Sequence, residues 1–239
     1  MKALILAAGR GSRMKGLTDE RPKCLVTVRG VALLDRQVSA LREAGITEIG
    51  IVSGYRREML ADRGLVEFHN PRWAETNMVS SLACAKEWLN KGPTIVSYSD
   101  IFYASSAPAA LAASDVDLAV TYDPHWLDLW SKRFADPLED AETFRTGPGG
   151  TIVEIGAKPK AVADVEGQYM GLLRFTPRAW TEVERLRDGM PLERCDRMHM
   201  TGTLQCVIEA GRVPVHAVAY EGEWGEVDSE GDLASYGGA

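Results

Sequence analysis

Short apolar runs of strand length alternate with stretches of helical period along nearly the whole chain, and this alternation most narrows the folds open to it. Residues 2–7 read as a buried strand. Leu34, Val38 and Leu41 then recur at helical spacing until Gly45 stops them, and residues 48–53 return to a strand. Further strands are predicted at 66–69, 94–98, 117–122, 151–155, 168–175 and 213–219, with helices at 79–89, 177 to about 186 and about 203 to 210. Repetition of this kind predicts an α/β fold, a mainly parallel mixed sheet with helices on both faces and ligands beyond the carboxyl ends of its strands. Residues 123–150, rich in Trp, Asp, Pro and Gly and without a clean period, read as an insertion, a lid or substrate wall within one domain spanning 1–239.

Composition excludes several classes. A net charge of −7 argues against a nucleic-acid surface, which needs a basic face, so an anionic ligand requires a local concentration of cations. No run approaches the roughly 18 apolar residues of a membrane span. The apolar start is cut short by Gly9 and Arg10, without a signal-peptide cleavage pattern, so the chain reads as cytoplasmic with no membrane partner. Cys24, Cys84, Cys195 and Cys206 are scattered without metal-ligand spacing and read as reduced, packed thiols. The sequence leaves oligomeric state open, a homodimer included.

Residues 4–25, LILAAGRGSRMKGLTDERPKCL, place the needed cations. The first strand ends in small residues, Ala7, Ala8, Gly9 and Gly11, which let backbone amides approach an anion closely. Arg10, Arg13 and Lys15 follow, and Lys23 comes after Pro22. The stretch is not a P-loop, lacking Gly-Lys-Ser/Thr, nor the dinucleotide fingerprint, since position 14 is Met rather than Gly or Ala. A Gly-x-Gly alone is also what a tight turn looks like.

The whole string Ala-Ala-Gly-x-Gly-Ser-Arg with Pro22-Lys23 resembles the signature of nucleotidyltransferases that make sugar nucleotides and CDP-linked small molecules, whose fold is a Rossmann-like α/β sheet of the nucleotide-diphospho-sugar transferase type. The resemblance continues through Asn77-Met-Val-Ser-Ser-Leu, Ser99-Asp100, Gly167-Gln-Tyr-Met-Gly171 and Gly222-Glu-Trp-Gly-Glu-Val-Asp228. Within the family the chain is most similar to the CTP-dependent branch acting on phosphocholine and on phosphonates. The resemblance implies attack by an acceptor phosphate or phosphonate oxygen on the α-phosphorus of CTP, with release of pyrophosphate. Second phosphate pKa values lie near about 6, so such a nucleophile is already ionised and no general base is required.

By the same resemblance, Leu6, Ala7, Ala8, Gly9, Gly11 and Ser12 cradle the nucleotide, with Asn77, Ser80, Ser81 and Ser99 completing its site. Lys23 and Arg13 neutralise charge at the reacting phosphates. Mg2+, a hard cation that takes one or two carboxylates with phosphate oxygens and water, is assigned to Asp100 and Asp228. Residues 227–230 also read as a helix-capping pattern, and Asp100 as a cap before 104–113. The acceptor is assigned to Tyr169, Met170, Gly171 and Lys158, and to Trp126, Trp130 and Arg133 of the insertion. Two tryptophans at i and i+4 suit a cation–π cage for phosphocholine, the arginine and Lys158 suit a phosphonate, and the same pair equally suits core packing. A CTP-dependent enzyme for a small phosphonate or phosphorylated alcohol is the leading expectation. A phosphocholine enzyme, a sugar-1-phosphate nucleotidylyltransferase and a silent nucleotide-binding domain stand as alternatives.

Overall fold

The computed structural model describes residues 1–237, the Lys15 side chain excepted. Strand β1 (Lys2–Ala7) is followed by the short hairpin β2 (Thr27–Val28) and β3 (Val31–Ala32), helix α1 (Leu33–Glu43), and strands β4 (Glu48–Ser53) and β5 (Val66–His69). Helices α2 (Met78–Ala83) and α3 (Lys86–Leu89) precede β6 (Thr94–Tyr98), β7 (Ile101–Tyr103) and α4 (Ser106–Ala113). Then come β8 (Leu118–Asp123), α5 (Trp126–Arg133), β9 (Phe144–Thr146), β10 (Ile152–Ile155) and β11 (Gln168–Phe175). Helices α6 (Pro177–Asp188), α7 (Leu192–Arg197) and α8 (Met200–Ala210), strands β12 (Val215–Ala219) and β13 (Trp224–Glu226), and α9 (Glu230–Ser235) follow.

Seven strands form the central sheet in the order β12-β8-β11-β6-β1-β4-β5. β1 lies between β4 and β6 and runs parallel to both, while β11 runs antiparallel to β6 and β8. Strand periodicity then divides the core. Ala3, Ile5 and Ala7 face a layer with Leu34 and Leu41 of α1 and Ala107 and Leu111 of α4. Leu4 faces the opposite layer, with Leu82 of α2, Trp180 of α6 and Leu204 of α8. Helices therefore cover both faces of a mixed, mostly parallel sheet, as the alternation of patterns predicts.

Three details depart from the sequence expectation. The helix foreseen over 79–89 is interrupted at Ala85 (φ −101°, ψ 19°), dividing it into α2 and α3. Of the strand foreseen at 151–155, Ile152–Ile155 pairs with β9 in a separate antiparallel ladder, and Thr151 touches the central sheet by an isolated bridge to His216 of β12. Helix α5 is built into the core rather than laid as a lid: Trp126 and Trp130 are 3% and 0% exposed, and Trp130 stacks on Trp224 with ring centroids 6.0 Å apart. Among the described residues no helix is long and apolar enough to cross a membrane.

Candidate functional site

Beyond the carboxyl ends of β1 and β6 opens a cleft of about 390 Å3. One wall is the loop after β1, whose Ala8, Gly9, Gly11, Ser12 and Arg13 all line it. Gly11 takes the left-handed conformation (φ 72°, ψ 50°) and starts a 3-10 turn, Ser12–Thr18. A Cβ there would stand 2.8 Å from both Cβ and Cδ of Lys23, so this glycine answers a positive φ and a close approach at once. Pro22 (φ −61°, ψ 148°) delivers Lys23 into a second 3-10 turn, Lys23–Leu25, and the lysine stem lies along the glycine loop.

The opposite wall is acidic. Asp100 follows β6, and β13 brings Asp228 beside it: β13 pairs antiparallel with β7, Glu226 opposite Ile101, and the Val227 amide donates to the Asp100 carbonyl at 2.9 Å. Lys23 Nζ donates to Asp100 Oδ2 at 2.8 Å and to Asp228 Oδ1, and Arg13 Nη1 donates to Asp228 Oδ2 at 2.7 Å. Burial alone pulls the Lys23 ammonium toward neutrality, but Asp100 and Asp228 more than reverse this and hold its pKa above the usual lysine range. The lysine is thus a permanent positive charge at the floor of the cleft.

Glu226 joins the two aspartates, and one carboxylate oxygen from each of the three lies within 4.8 Å of the others. Asp100 Oδ1 is buried without a hydrogen-bond partner. Burial, and then repulsion from Asp228 and Asp100, pushes Glu226 up to about 7 against the pull of Arg133. A buried lone pair with no donor beside crowded carboxylates fits a divalent cation held by oxygen ligands. Ser229, not Asp228, caps α9: its side chain accepts from the Asp232 amide while Asp232 accepts from the Ser229 amide. The helix-capping pattern is therefore present, and it leaves Asp228 free to face the cleft.

Of the residues singled out from sequence, Leu6, Ala8, Gly9, Gly11, Ser12, Arg13, Lys23, Asn77, Ser81, Ser99, Asp100 and Asp228 line this one cleft. Ala7 is buried in β1. Ser80 points away, accepting from Arg187 Nη2 at 3.0 Å and donating to the Cys195 carbonyl at 3.3 Å, which ties α2 to α6 and α7. The proposed acceptor set is largely displaced. Trp126 and Trp130 cannot cage a cation because both are core residues, the Trp126 indole N–H donating to the Val165 carbonyl at 3.0 Å. Arg133 is buried among Asp232 and Glu226. Lys158 caps a turn, donating to the Glu139 carbonyl at 2.6 Å and to that of Leu138. Met170 is buried. Tyr169 and Gly171 stand behind Tyr98, which lines the cleft: Tyr169 meets its ring edge-on at 5.8 Å, and Gly171 (φ 79°) lies so near that a Cβ would stand 2.8 Å from the ring.

Sequence reasoning missed Trp73, Thr76, Met78 and Tyr98 in the lining, and Glu226 in the acidic cluster. Glu226 lay in plain view within the Trp224–Asp228 motif; Trp73 and Thr76 immediately precede the Asn77 helix start.

A sheet of this topology with a glycine loop, a buried lysine and an acidic cluster at one cleft defines a nucleotide-handling transferase. The chain belongs to the MobA-like NTP transferase family, whose domain matches residues 3–152, and is an enzyme of the nucleotidyltransferase class. It is 37% identical to the CTP:phosphoglutamine cytidylyltransferase of Campylobacter jejuni, the match covering 98% of each chain. A 2-aminoethylphosphonate cytidylyltransferase of Lancefieldella rimae is 36% identical over 41% of this chain and 42% of that one. The fold matches that of the inositol-1-phosphate CTP transferase of T. maritima, with a TM-score of 0.78 at 19% identity over 99% of this chain and 93% of that one.

Proposed function

We propose that the protein is a magnesium-dependent cytidylyltransferase that moves CMP from CTP to a small phosphorylated acceptor with release of pyrophosphate. The observation that carries this reading is the junction of Lys23 with Asp100 and Asp228 at the mouth of the glycine loop, where opposite charges converge on the place a triphosphate would lie. Backbone amides of the loop and the Lys23 ammonium would balance charge on the α-phosphate and the departing pyrophosphate, which is where positioned cations act most strongly. Asp100 and Asp228, with Glu226 beside them, would hold Mg2+, which when bound neutralises phosphate charge. Since the acceptor oxygen arrives ionised, the site has no need of a base.

For the acceptor, we favour phosphoglutamine over a phosphonate. Support comes from coverage: the likeness to the phosphoglutamine enzyme runs through 98% of the chain and so includes the acceptor half, while that to the phosphonate enzyme covers 41%. The phosphocholine alternative loses its motive with the burial of Trp126 and Trp130. The test is pyrophosphate release with Mg2+, CTP and, in turn, phosphoglutamine, 2-aminoethylphosphonate, phosphocholine and glucose 1-phosphate. Release with phosphoglutamine is expected, and Asp100→Asn should lower it on the order of 100-fold at saturating acceptor. Turnover with glucose 1-phosphate alone, or an Asp100→Asn variant of near-normal rate, overturns the reading.

A further inference from the structure

The inner wall of the cleft carries a hydrogen-bond polarity set by a residue behind it. Asn70 follows β5 and is 3% exposed. Its Oδ1 accepts the Arg72 backbone N–H at 2.9 Å, which fixes the amide, since the turned-over group would set N–H against N–H. Nδ2 therefore faces the other way and donates to Thr76 Oγ1 at 3.0 Å and to Ser81 Oγ at 2.9 Å. The Thr76 hydroxyl passes its own proton to the Arg72 carbonyl at 3.0 Å. Ser81 has accepted, lines the cleft, and among the described residues has no acceptor for its proton. Asn77, on the same wall, has its Oδ1 taken by the Met78 amide at 2.7 Å, so its N–H end is the one left for a ligand.

We infer that Asn70 is a specificity-determining positioning residue: by occupying one lone pair of the Ser81 hydroxyl from behind, it leaves that hydroxyl's proton as the group in need of a partner, so that this wall favours donation to the base of a bound nucleotide. The inference rests on reading the cleft as a nucleotide site. Cytosine carries two adjacent acceptors, ring N3 and O2, whereas uracil and thymine carry an N–H at N3. An N–H set against Ser81 can use only its second lone pair and leaves the Ser81 proton desolvated without an acceptor, a loss comparable to or larger than the gain from the bond it makes. The wall thus selects cytosine by the proton that any N–H-bearing pyrimidine would leave unsatisfied at Ser81. Asn70 needs no contact with the nucleotide to exert this, and Ser80, one residue earlier, takes no part because Arg187 and the Cys195 carbonyl use its hydroxyl.

The experiment is titration calorimetry of the purified protein with CTP and with UTP, Mg2+ present and no acceptor, for wild type, Asn70→Asp and Ser81→Ala, with thermal denaturation to report folding. In Asn70→Asp the carboxylate accepts the Ser81 proton and turns the hydroxyl lone pairs to the cleft. CTP should bind about tenfold more weakly and UTP more tightly, lowering the CTP preference more than tenfold. Ser81→Ala should weaken CTP without strengthening UTP, and it carries the test alone if Asn70→Asp does not fold. A CTP to UTP affinity ratio unchanged in the folded variants, or equal affinities in wild type, overturns the inference. Wild type binding neither nucleotide overturns it together with the nucleotide reading. CTP-selective binding without pyrophosphate release from any acceptor defeats the proposed reaction and leaves this inference standing.

Discussion

The loop after β1 and helix α5 both bring an arginine to the carboxylates near the end of the described chain, and they use it in opposite ways. Arg13, its side chain 72% exposed, reaches Asp228 at 2.7 Å across open cleft. Arg133, 1% exposed, reaches Asp232 at 2.7 Å and Glu226 at 2.8 Å beneath it, its guanidinium over the Trp130 ring at 4.6 Å. Asp232 in turn accepts the Asp228 backbone amide at 3.0 Å. The acidic cluster is thus held from below by a buried arginine and faced from above by cations available to a ligand. What separates the two regions is backbone: small residues and the left-handed Gly11 keep the loop at the surface, whereas a regular helix with tryptophans at i and i+4 must bury that stripe.

The comparison predicts effects that divide cleanly between chemistry and stability. Lys23→Ala should cut kcat/KM for CTP on the order of 1,000-fold while the far-UV spectrum stays native; a loss under tenfold would make the loop lysine structural and erase the contrast. Trp130→Ala should cost about 3–5 kcal/mol in urea denaturation with kcat of the folded fraction near wild type, because it empties a fully buried site. Should that variant keep its stability and lose turnover instead, α5 belongs to the site after all. Gly11→Ala, strained at positive φ and pressed on Lys23, should lower kcat/KM about 10- to 100-fold and stability by about 1–2 kcal/mol. An equal loss in a Lys23→Ala background would show that the glycine does not act through the lysine. The smallest effect is expected from Trp126→Phe, which removes the indole bond to Val165 and should cost about 1–2 kcal/mol with activity intact.

The central strands were legible because a strand buried on both faces must be an uninterrupted apolar run, and the cleft loop because its small residues and cations have few other uses. The break at Ala85 carries no glycine or proline, so nothing in the residues themselves marked it. The three-residue strands β7 and β13 are too short to show a period, yet their pairing is what sets Glu226 beside Asp100. Trp126 and Trp130, assigned to the acceptor with core packing left open beside it, were ambiguous for a physical reason: a cage for a ligand cation and a wedge into a core demand the same aromatic pair. Only the distant partners Trp224 and Val165 decide between them. In the same way Ser80 and Ser81 are indistinguishable as letters, and their tertiary partners give them different tasks.

Lys23 and Asp228, joined across the cleft, stand 205 residues apart along the chain. At a synthesis rate of roughly 5–20 residues per second, the lysine is added to the chain about 10–40 s before its second carboxylate partner exists. Asp100 arrives earlier, so a growing chain holds a half-built charge cluster with nothing opposite Arg13. The charge cluster is therefore completed only in the last stretch of synthesis, once Asp228 has been added.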